Sequence, residues 1–206
     1  MENLLDDFYE VQSFTDKEIF TKIWISPRPI FKYINHFKYQ KYLTILLILA
    51  GIANAFDRAE RKNLLSGDSI VISIIGSIIG GALFGWISYY LYSSLIRFTG
   101  KWINGNADTD SILRVLAYAS SPSIAGLVLI IPKLLLYNTD LYENILTYGF
   151  SIVESILGIW TLVLYVVGIS EVQQFSIGKA IINLILPALI IFIPLLLLIY
   201  LFTGFH

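Results

Sequence analysis

Cysteine is absent from this sequence of 206 residues, and histidine occurs only twice. Without thiols the chain has no disulfide, no thiolate metal ligand and no cysteine nucleophile. The two histidines, His36 and His206, have neither the helical spacing of a zinc-ligand pair nor the pattern of a catalytic triad. No glycine-rich phosphate loop followed by Lys and Ser or Thr occurs either. The sequence therefore predicts a protein that is not an enzyme, with no catalytic residue, no cofactor and no metal site.

Charged residues are scarce, at 14% of the chain, and they nearly cancel to a net charge of −1. No basic run with interleaved aromatic residues occurs outside the flanks of the apolar segments, so we predict no nucleic-acid partner. Hydrophobic residues make up 56% of the chain, which is too apolar for an ordinary soluble domain. The charged N-terminal region lacks the apolar core and the cleavage site of a secretory signal. We expect the later helices to direct insertion into a membrane.

Apolar residues occur in long uninterrupted runs. The 28 residues between Asp68 and Arg97 carry no charge, and none occurs between Ala180 and Phe205, whereas about 20 apolar residues suffice to cross a bilayer. The predicted fold class is all-α: a polytopic protein of the lipid bilayer, with a bundle of about five transmembrane helices in residues 41–206. Residues 1–40 form a short cytoplasmic and interfacial helical segment. The predicted spans are 42–56, 69–96, 115–132, 144–170 and 180–202.

The distribution of lysine and arginine predicts the orientation, because these residues favour the cytoplasmic side of a membrane. With five spans and a cytoplasmic N-terminus, ten of the 14 basic residues lie inside. Only Arg58, Arg61, Lys62 and Lys133 lie outside. We therefore predict an N-terminus in the cytoplasm and a C-terminus outside.

The N-terminal segment carries a short amphipathic helix that begins near Pro29, after a preceding helix with a capping box at Thr15 and Glu18. Its apolar and basic residues suit the headgroups of an anionic leaflet. The alternative is a soluble helix that packs on the bundle. The candidate contacts with the membrane surface are Arg28, Phe31, Lys32 and Lys38.

The second span carries a small residue at every fourth position: Ser73, Ser77, Gly81 and Gly85. Small residues allow two helix backbones to approach closely, which matters because lipid gives no hydrophobic drive for helices to associate. The pattern predicts helix packing within the bundle. A homo-oligomer or a contact with another membrane protein is the alternative, together with a glycine hinge.

The fourth span carries one polar or small stripe among Ile, Leu, Val, Phe and Trp residues, so the stripe should face protein or water. Glu154 is its only acid, and a charge at that depth costs several kcal/mol unless it is paired, hydrated or protonated. Arg114 lies at the inner end of the third span, too far from Glu154 along the membrane normal for contact. Lys133 is therefore the preferred partner, with a neutral, hydrogen-bonded Glu154 as the alternative. The candidate intramembrane polar site comprises Glu154, Lys133, Ser151, Thr161 and Tyr165. The site is either an interhelical tie or part of a path for ions, protons or lipid headgroups.

Several short motifs resemble those of bacterial members of the Yip1-domain family of membrane proteins, over roughly residues 20–203. They lie at Trp24–Phe31, Arg114–Tyr118, Pro122, Trp160, Gly168–Val172, Phe175–Ser176, Lys179–Ala180 and Pro187. The resemblance implies a five-helix fold with a cytosolic N-terminus, in a bacterial cytoplasmic (inner) membrane. Eukaryotic relatives are associated with Rab-type GTPases and vesicle traffic. That role is not carried over to this chain, because the Asp-Leu-Tyr-Gly-Pro motif of those relatives is missing. The most similar stretch, Asp140–Glu143, lacks both Gly and Pro.

Two functional hypotheses follow from these features. The first is a non-enzymatic scaffold or adaptor in membrane organisation or a trafficking-like process, which presents the basic N-terminal segment to anionic lipid headgroups or to a protein. The second is a small transporter, channel or lipid-handling protein that uses the polar stripe of the fourth span.

Overall fold

The structure, a computed structural model, describes residues 13–65, 70–136 and 147–203. Every regular element in these three ranges is helical. The predicted starts of the second and fourth spans, at Ser69 and Asn144, lie outside the described residues, as does Asp140–Glu143.

Two short helices precede the bundle. α1 (Asp16–Lys22) begins with the capping box of Thr15 and Glu18 that the sequence predicts. α2 (Pro27–His36) begins two residues earlier than expected, with proline in its first turn.

The remaining helices form the bundle. α3 covers Leu43–Arg61 and α4 covers Ile70–Trp102. The third apolar segment is divided into α5 (Thr109–Ala119), α6 (Ser121–Gly126), a 3₁₀ turn (Leu127–Leu129) and α7 (Ile130–Leu136). α8 (Thr147–Gln173) and α9 (Ile177–Thr203) complete the described part of the chain.

Within the described residues, four helical segments are long and apolar enough to cross a membrane: Ile70–Trp102, Thr109–Leu136, Tyr148–Gln173 and Ile177–Leu201. The predicted all-α polytopic membrane fold is confirmed. α3 is not among the four, because its last turns carry charged residues such as Asp57 and Arg58. The count of five spans and their exact limits therefore stay a prediction.

Prolines affect the third and fifth segments differently. The third segment changes helical register around Pro122 and again just before Pro132, where the 3₁₀ turn lies. Proline lacks the amide hydrogen that an α-helix needs, and its ring crowds the preceding turn. α9 nevertheless continues through both Pro187 and Pro194. Such helices persist in membranes where neighbouring groups satisfy the freed carbonyls.

The hydrophobic core lies towards one end of the bundle, where α5 packs against α2, α3, α4 and α8 and where α1 adds apolar side chains. Every residue of α5 from Ser111 to Ala119 is buried. Ile19, Phe31 and Ile169 pack into the same core with no exposed surface. The side chains of α9 are instead mostly exposed Ile and Leu, as expected of a helix that faces lipid.

The prediction that Phe31 contacts the membrane surface is wrong. Phe31 is 0% exposed, and a methyl group placed on Gly168 of α8 would lie 3.1 Å from its ring. The apolar side of α2 is thus covered by the bundle, which is the alternative stated above. Arg28 and Lys32 lie on the opposite side of α2 and are exposed, as is Lys38 just after the end of the helix.

Candidate functional site

Lys133 lies between two carboxylates at the end of the bundle opposite the core. Its ammonium group is 2.6 Å from Glu154 Oε1 and 2.5 Å from Glu60 Oε1. The Lys133 side chain is only 9% exposed, whereas Glu154 and Glu60 are 33% and 40% exposed. The contact between Lys133 and Glu154 that depth along the helices predicts is therefore present, with Glu60 as an additional partner.

These three side chains connect three segments of the chain, because Glu60 belongs to α3, Lys133 to α7 and Glu154 to α8. One cation between two carboxylates has a formal charge of −1. Each carboxylate offsets part of the cost of burying the ammonium group. This arrangement is suited to holding helices together.

The other residues of the predicted polar site lie apart from this cluster. Ser151 is exposed one turn from Glu154. Thr161 Oγ1 is 2.9 Å from Ser123 Oγ of α6, and Tyr165 Oη is 2.8 Å from Ser120 Oγ. The polar stripe of α8 thus makes three separate contacts along its length rather than one site.

Tyr165 belongs to a hydrogen-bonded group that crosses the bundle. The Asn54 side-chain amide donates to Tyr89 Oη at 2.9 Å. Tyr89 Oη in turn lies 3.4 Å from both Ser120 Oγ and Tyr165 Oη, which are longer contacts. Residues of α3, α4 and α8 therefore meet through side-chain hydroxyls and one amide.

A cavity of about 700 Å³ lies next to this group, between α3 and α4. Such a volume is within the usual range of small-molecule sites, about 300–1,000 Å³. Tyr165 reaches the cavity, whereas Glu154 and Lys133 are not part of its lining. The lining includes Asn54 and Arg58 of α3 and Lys62, which directly follows it.

The small-residue stripe of α4 packs against α3. A methyl group at Gly51 would overlap the carbonyl oxygen of Gly81 and lie 2.6 Å from Cα of Gly85. Ser77 is also buried, and Ser73 is half-buried at the edge of the cavity. The stripe thus serves packing within the chain. Gly76 and Gly80, on the neighbouring face, have nothing within 4 Å of the position of a Cβ atom.

A buried amide cluster fixes the opposite end of α4. Asn183 of α9 is 0% exposed and donates to Ile96 O at 2.9 Å and to Thr99 Oγ1 at 2.8 Å. Gln173 donates to Asn183 at 3.2 Å and accepts a hydrogen bond from the Ala107 backbone amide at 3.0 Å. These bonds connect α8, α9 and the segment that leads into α5. Each satisfies a polar group that would be costly to bury alone.

Asp108 caps the start of α5 near the same end. Its Oδ1 accepts a hydrogen bond from the Ser111 backbone amide at 2.7 Å. Arg114, which is 2% exposed, donates to Ser111 Oγ at 2.9 Å, so it is engaged far from Glu154. The hydrogen bonds from Ser111, followed by the positive charges of Arg114 and Lys38, lower the pKa of the Asp108 carboxyl.

Asp16 holds α1 against the segment that leads into α3. Its carboxylate accepts hydrogen bonds from Tyr39 at 2.6 Å and Tyr42 at 2.7 Å, and it pairs with Lys41. The hydrogen bond from Lys41, and then those from the two tyrosines, lower the pKa of Asp16. On the same helix, the hydrogen bond from Lys22 lowers the pKa of Glu18 to about 2.

Sequence reasoning missed Glu60, Asn54 and Asp16 as partners. Asn54 is the only amide in the first apolar run, which could have drawn attention to it. Glu60 was not considered because the predicted span ended at Phe56, whereas α3 continues as a helix to Arg61. The contact of Asp16 with Tyr39 and Tyr42 depends on how the segment folds back, which periodicity does not report.

Comparison with known proteins gives one family. The family model described as the Yip1 domain matches residues 21–199, which is most of the chain. The resemblance noted from the short motifs is confirmed. None of the curated proteins and none of the solved structures compared with the chain gives a significant match.

Proposed function

Because this chain belongs to the Yip1-domain family of integral membrane proteins, we propose that it acts as a non-enzymatic scaffold or adaptor that presents its N-terminal helices at the inner surface of a bacterial cytoplasmic membrane. The observation that carries this proposal is the two-sided character of α2. Its apolar side is fully buried in the bundle, while Arg28, Lys32 and Lys38 are exposed.

The N-terminal helices form a fixed platform rather than a loose tail. Ile19 of α1 and Ile30 and Ile34 of α2 have no exposed surface and belong to the same core as α5. Asp16 adds a polar attachment to Tyr39 and Tyr42. A partner that binds the exposed side would therefore meet a preformed surface and would not have to order it, which favours binding.

The exposed basic side chains favour an anionic partner. Each Lys or Arg near an anionic leaflet contributes about 1 kcal/mol of attraction. Two such residues on α2, with Lys38 just after its end, would orient the platform towards phospholipid headgroups or an acidic protein surface at the membrane. Both partners fit an adaptor.

Affinity purification of the full chain in mild detergent tests the proposal, with identification of co-purified proteins and lipids. The variant Arg28→Gln/Lys32→Gln/Lys38→Gln should lose partners that the natural chain retains. The matched control is Arg97→Gln/Lys101→Gln/Lys179→Gln, which removes three exposed basic residues elsewhere on the predicted inner side and should retain them. Retention of every partner by the first variant, or recovery of the natural chain without any partner, would contradict the scaffold role.

A second candidate function, a lipid-handling protein or small transporter, is supported by the cavity between α3 and α4. The cavity reaches Tyr165 on the polar stripe of α8. Transfer of a fluorescent phospholipid between the leaflets of proteoliposomes tests this candidate. The natural chain should accelerate transfer and Tyr165→Phe should slow it. A rate equal to that of protein-free vesicles would exclude the candidate.

A further inference from the structure

We propose that the cavity between α3 and α4 binds one anionic glycerophospholipid, whose phosphate lies against Arg58 and Lys62 and whose acyl chain lies along α4. This binding site goes beyond the scaffold function. It is also independent of whether the protein moves lipids between leaflets.

The length of the cavity suits an acyl chain. Its lining extends along α4 from Ser73 to Tyr92, which corresponds to about 28 Å at the helical rise. The hydrocarbon core of a bilayer is about 30 Å thick. The acyl chains of one leaflet occupy about half of that thickness, so the cavity has room for a whole acyl chain of a lipid whose phosphate lies at one end of it.

Glycine residues, which carry no side chain, create the space of the cavity. Gly76 and Gly80 line the cavity, and nothing lies within 4 Å of the position of a Cβ atom at either residue. Gly81 and Gly85 lie on the neighbouring face and contact the backbone of α3. One glycine face thus brings the helices together, and the other leaves a groove beside their contact.

The groove has a positively charged end. Arg58 lies in the last turn of α3, Lys62 directly follows the helix, and both line the cavity together with Ala55. Among residues 13–65, 70–136 and 147–203, neither Arg58 nor Lys62 forms an ion pair. The nearby acids are engaged elsewhere, Asp57 with Arg61 and Glu60 with Lys133. Guanidinium and ammonium groups at this position can donate charge-assisted hydrogen bonds to a phosphate.

Polar side chains lie next to the charged end of the groove, one turn further into the bundle. Asn54 is four residues before Arg58, or about 6 Å along the helix, and it contacts Tyr89 Oη. Tyr89 makes only long contacts with Ser120 and Tyr165, at 3.4 Å. Its hydroxyl can therefore donate to a further acceptor, as can the second hydrogen of the Asn54 amide. A glycerophospholipid carries ester carbonyls, which are such acceptors, just below its phosphate.

The same charges disfavour a second copy of the chain as the occupant. Two copies packed through Gly76 and Gly80 about an axis along the membrane normal would lie at equal depth. Their Arg58 and Lys62 residues would then approach each other, and like charges at close range repel. An anionic lipid removes this repulsion.

Native mass spectrometry of the full chain, titrated with phosphatidylglycerol, phosphatidylcholine or oleate, tests the proposal. The chain should bind one phosphatidylglycerol more tightly than either other lipid. Arg58→Gln/Lys62→Gln should weaken that binding about thirtyfold, at roughly fivefold for each charge. The control Arg61→Gln, which removes a neighbouring charge that is paired with Asp57, should bind as the natural chain does.

The groove itself is tested by Gly80→Leu, and by Gly76→Leu if the first variant does not fold. Either side chain should occupy the groove and abolish binding while the Tm is retained. Gly149→Leu is the matched control, because Gly149 on α8 also has open space around its Cβ position but does not line the cavity.

Equal binding of phosphatidylcholine or oleate, or unchanged binding by both the charge and the groove variants, would overturn the proposal. So would loss of a dimer in Gly80→Leu with lipid binding intact, which would show a second copy in the groove. Because these variants leave Arg28, Lys32 and Lys38 intact, failure here leaves the test of the scaffold function unaffected.

Discussion

At the scale of single residues, Lys133 shows what helical register can predict. Depth along two helices placed its ammonium group near Glu154, and the observed distance is 2.6 Å. The second carboxylate, Glu60, was not predicted because its position depends on how far α3 extends beyond the apolar run. The position of a residue along its helix predicts its depth in the bundle. Which neighbouring helix faces that residue depends on how the helices pack.

Lys133→Met should lower the free energy of unfolding by about 3 kcal/mol, because two carboxylates would lose the cation between them. Glu154→Gln should cost less, since Lys133 retains Glu60. The measurement is reversible unfolding of the detergent-solubilised chain followed by tryptophan fluorescence.

The triple variant Glu60→Gln/Lys133→Met/Glu154→Gln tests whether the cluster acts as an interhelical tie. A neutral cluster of similar volume should recover most of the stability lost in Lys133→Met, because buried ion pairs add little over well-packed neutral groups. A triple variant less stable than Lys133→Met would argue against this interpretation of the cluster.

Asp16→Asn should lower the Tm at pH 7, because the amide cannot replace the charge that accepts from Tyr39, Tyr42 and Lys41. The pKa of Asp16 is below its usual 3.8 in the folded chain, so its stabilisation is complete above that value and is lost as the pH falls. The Tm difference between the natural chain and Asp16→Asn should therefore shrink below about pH 3.8. A difference that stays constant down to pH 2, or an equal one for the exposed control Asp110→Asn, would count against this role of Asp16.

At the scale of helices, the sequence specified the period of small residues on α4 but not which of two glycine faces packs. Gly81 and Gly85 contact α3, whereas Gly76 and Gly80 remain open. The two faces differ by one residue in register, and only the position of Gly51 on α3 distinguishes them. α2 was ambiguous for the same reason, since periodicity shows which side is apolar and not what covers it.

Gly81→Ala should destabilise the chain by about 1–3 kcal/mol, because the new methyl group would lie 2.6 Å from Cα of Ile52 and α3 would have to move. Gly80→Ala is the matched control on the same helix. It should be neutral or slightly stabilising, because alanine favours helix and meets no atom within 4 Å. Parallel thermal melts in one detergent compare the two, and equal Tm values would show that the close contact between α3 and α4 does not limit stability.

At the scale of the whole molecule, the composition and the length of the apolar runs were sufficient to predict an all-α membrane fold. Few other structures satisfy the backbone hydrogen bonds of a chain that crosses lipid. α9 illustrates this, with exposed Ile and Leu along most of its length. The cavity could not be predicted, because it is the space between two helices whose separation and rotation are set by side-chain contacts. The same holds for the core around α5, where residues distant in sequence meet.

The distribution of basic residues predicts opposite sides of the membrane for the two termini. A reporter fused to the C-terminus should be active only if it functions outside the cytoplasm, and a reporter at the N-terminus only if it functions inside. A cytoplasmic C-terminus would show that α3 does not cross the membrane or that the orientation is reversed.

The docking of α1 and α2 onto α5 and α8 also sets an order of events during synthesis. The N-terminal helices leave the ribosome first, but Ile169 and Val172, which share their core, are made near the end. At about 5–20 residues per second, translation of the intervening chain takes on the order of ten seconds. During that interval the apolar sides of α1 and α2 have no bundle to cover them, so the nascent chain should need a chaperone or the membrane surface as a temporary partner.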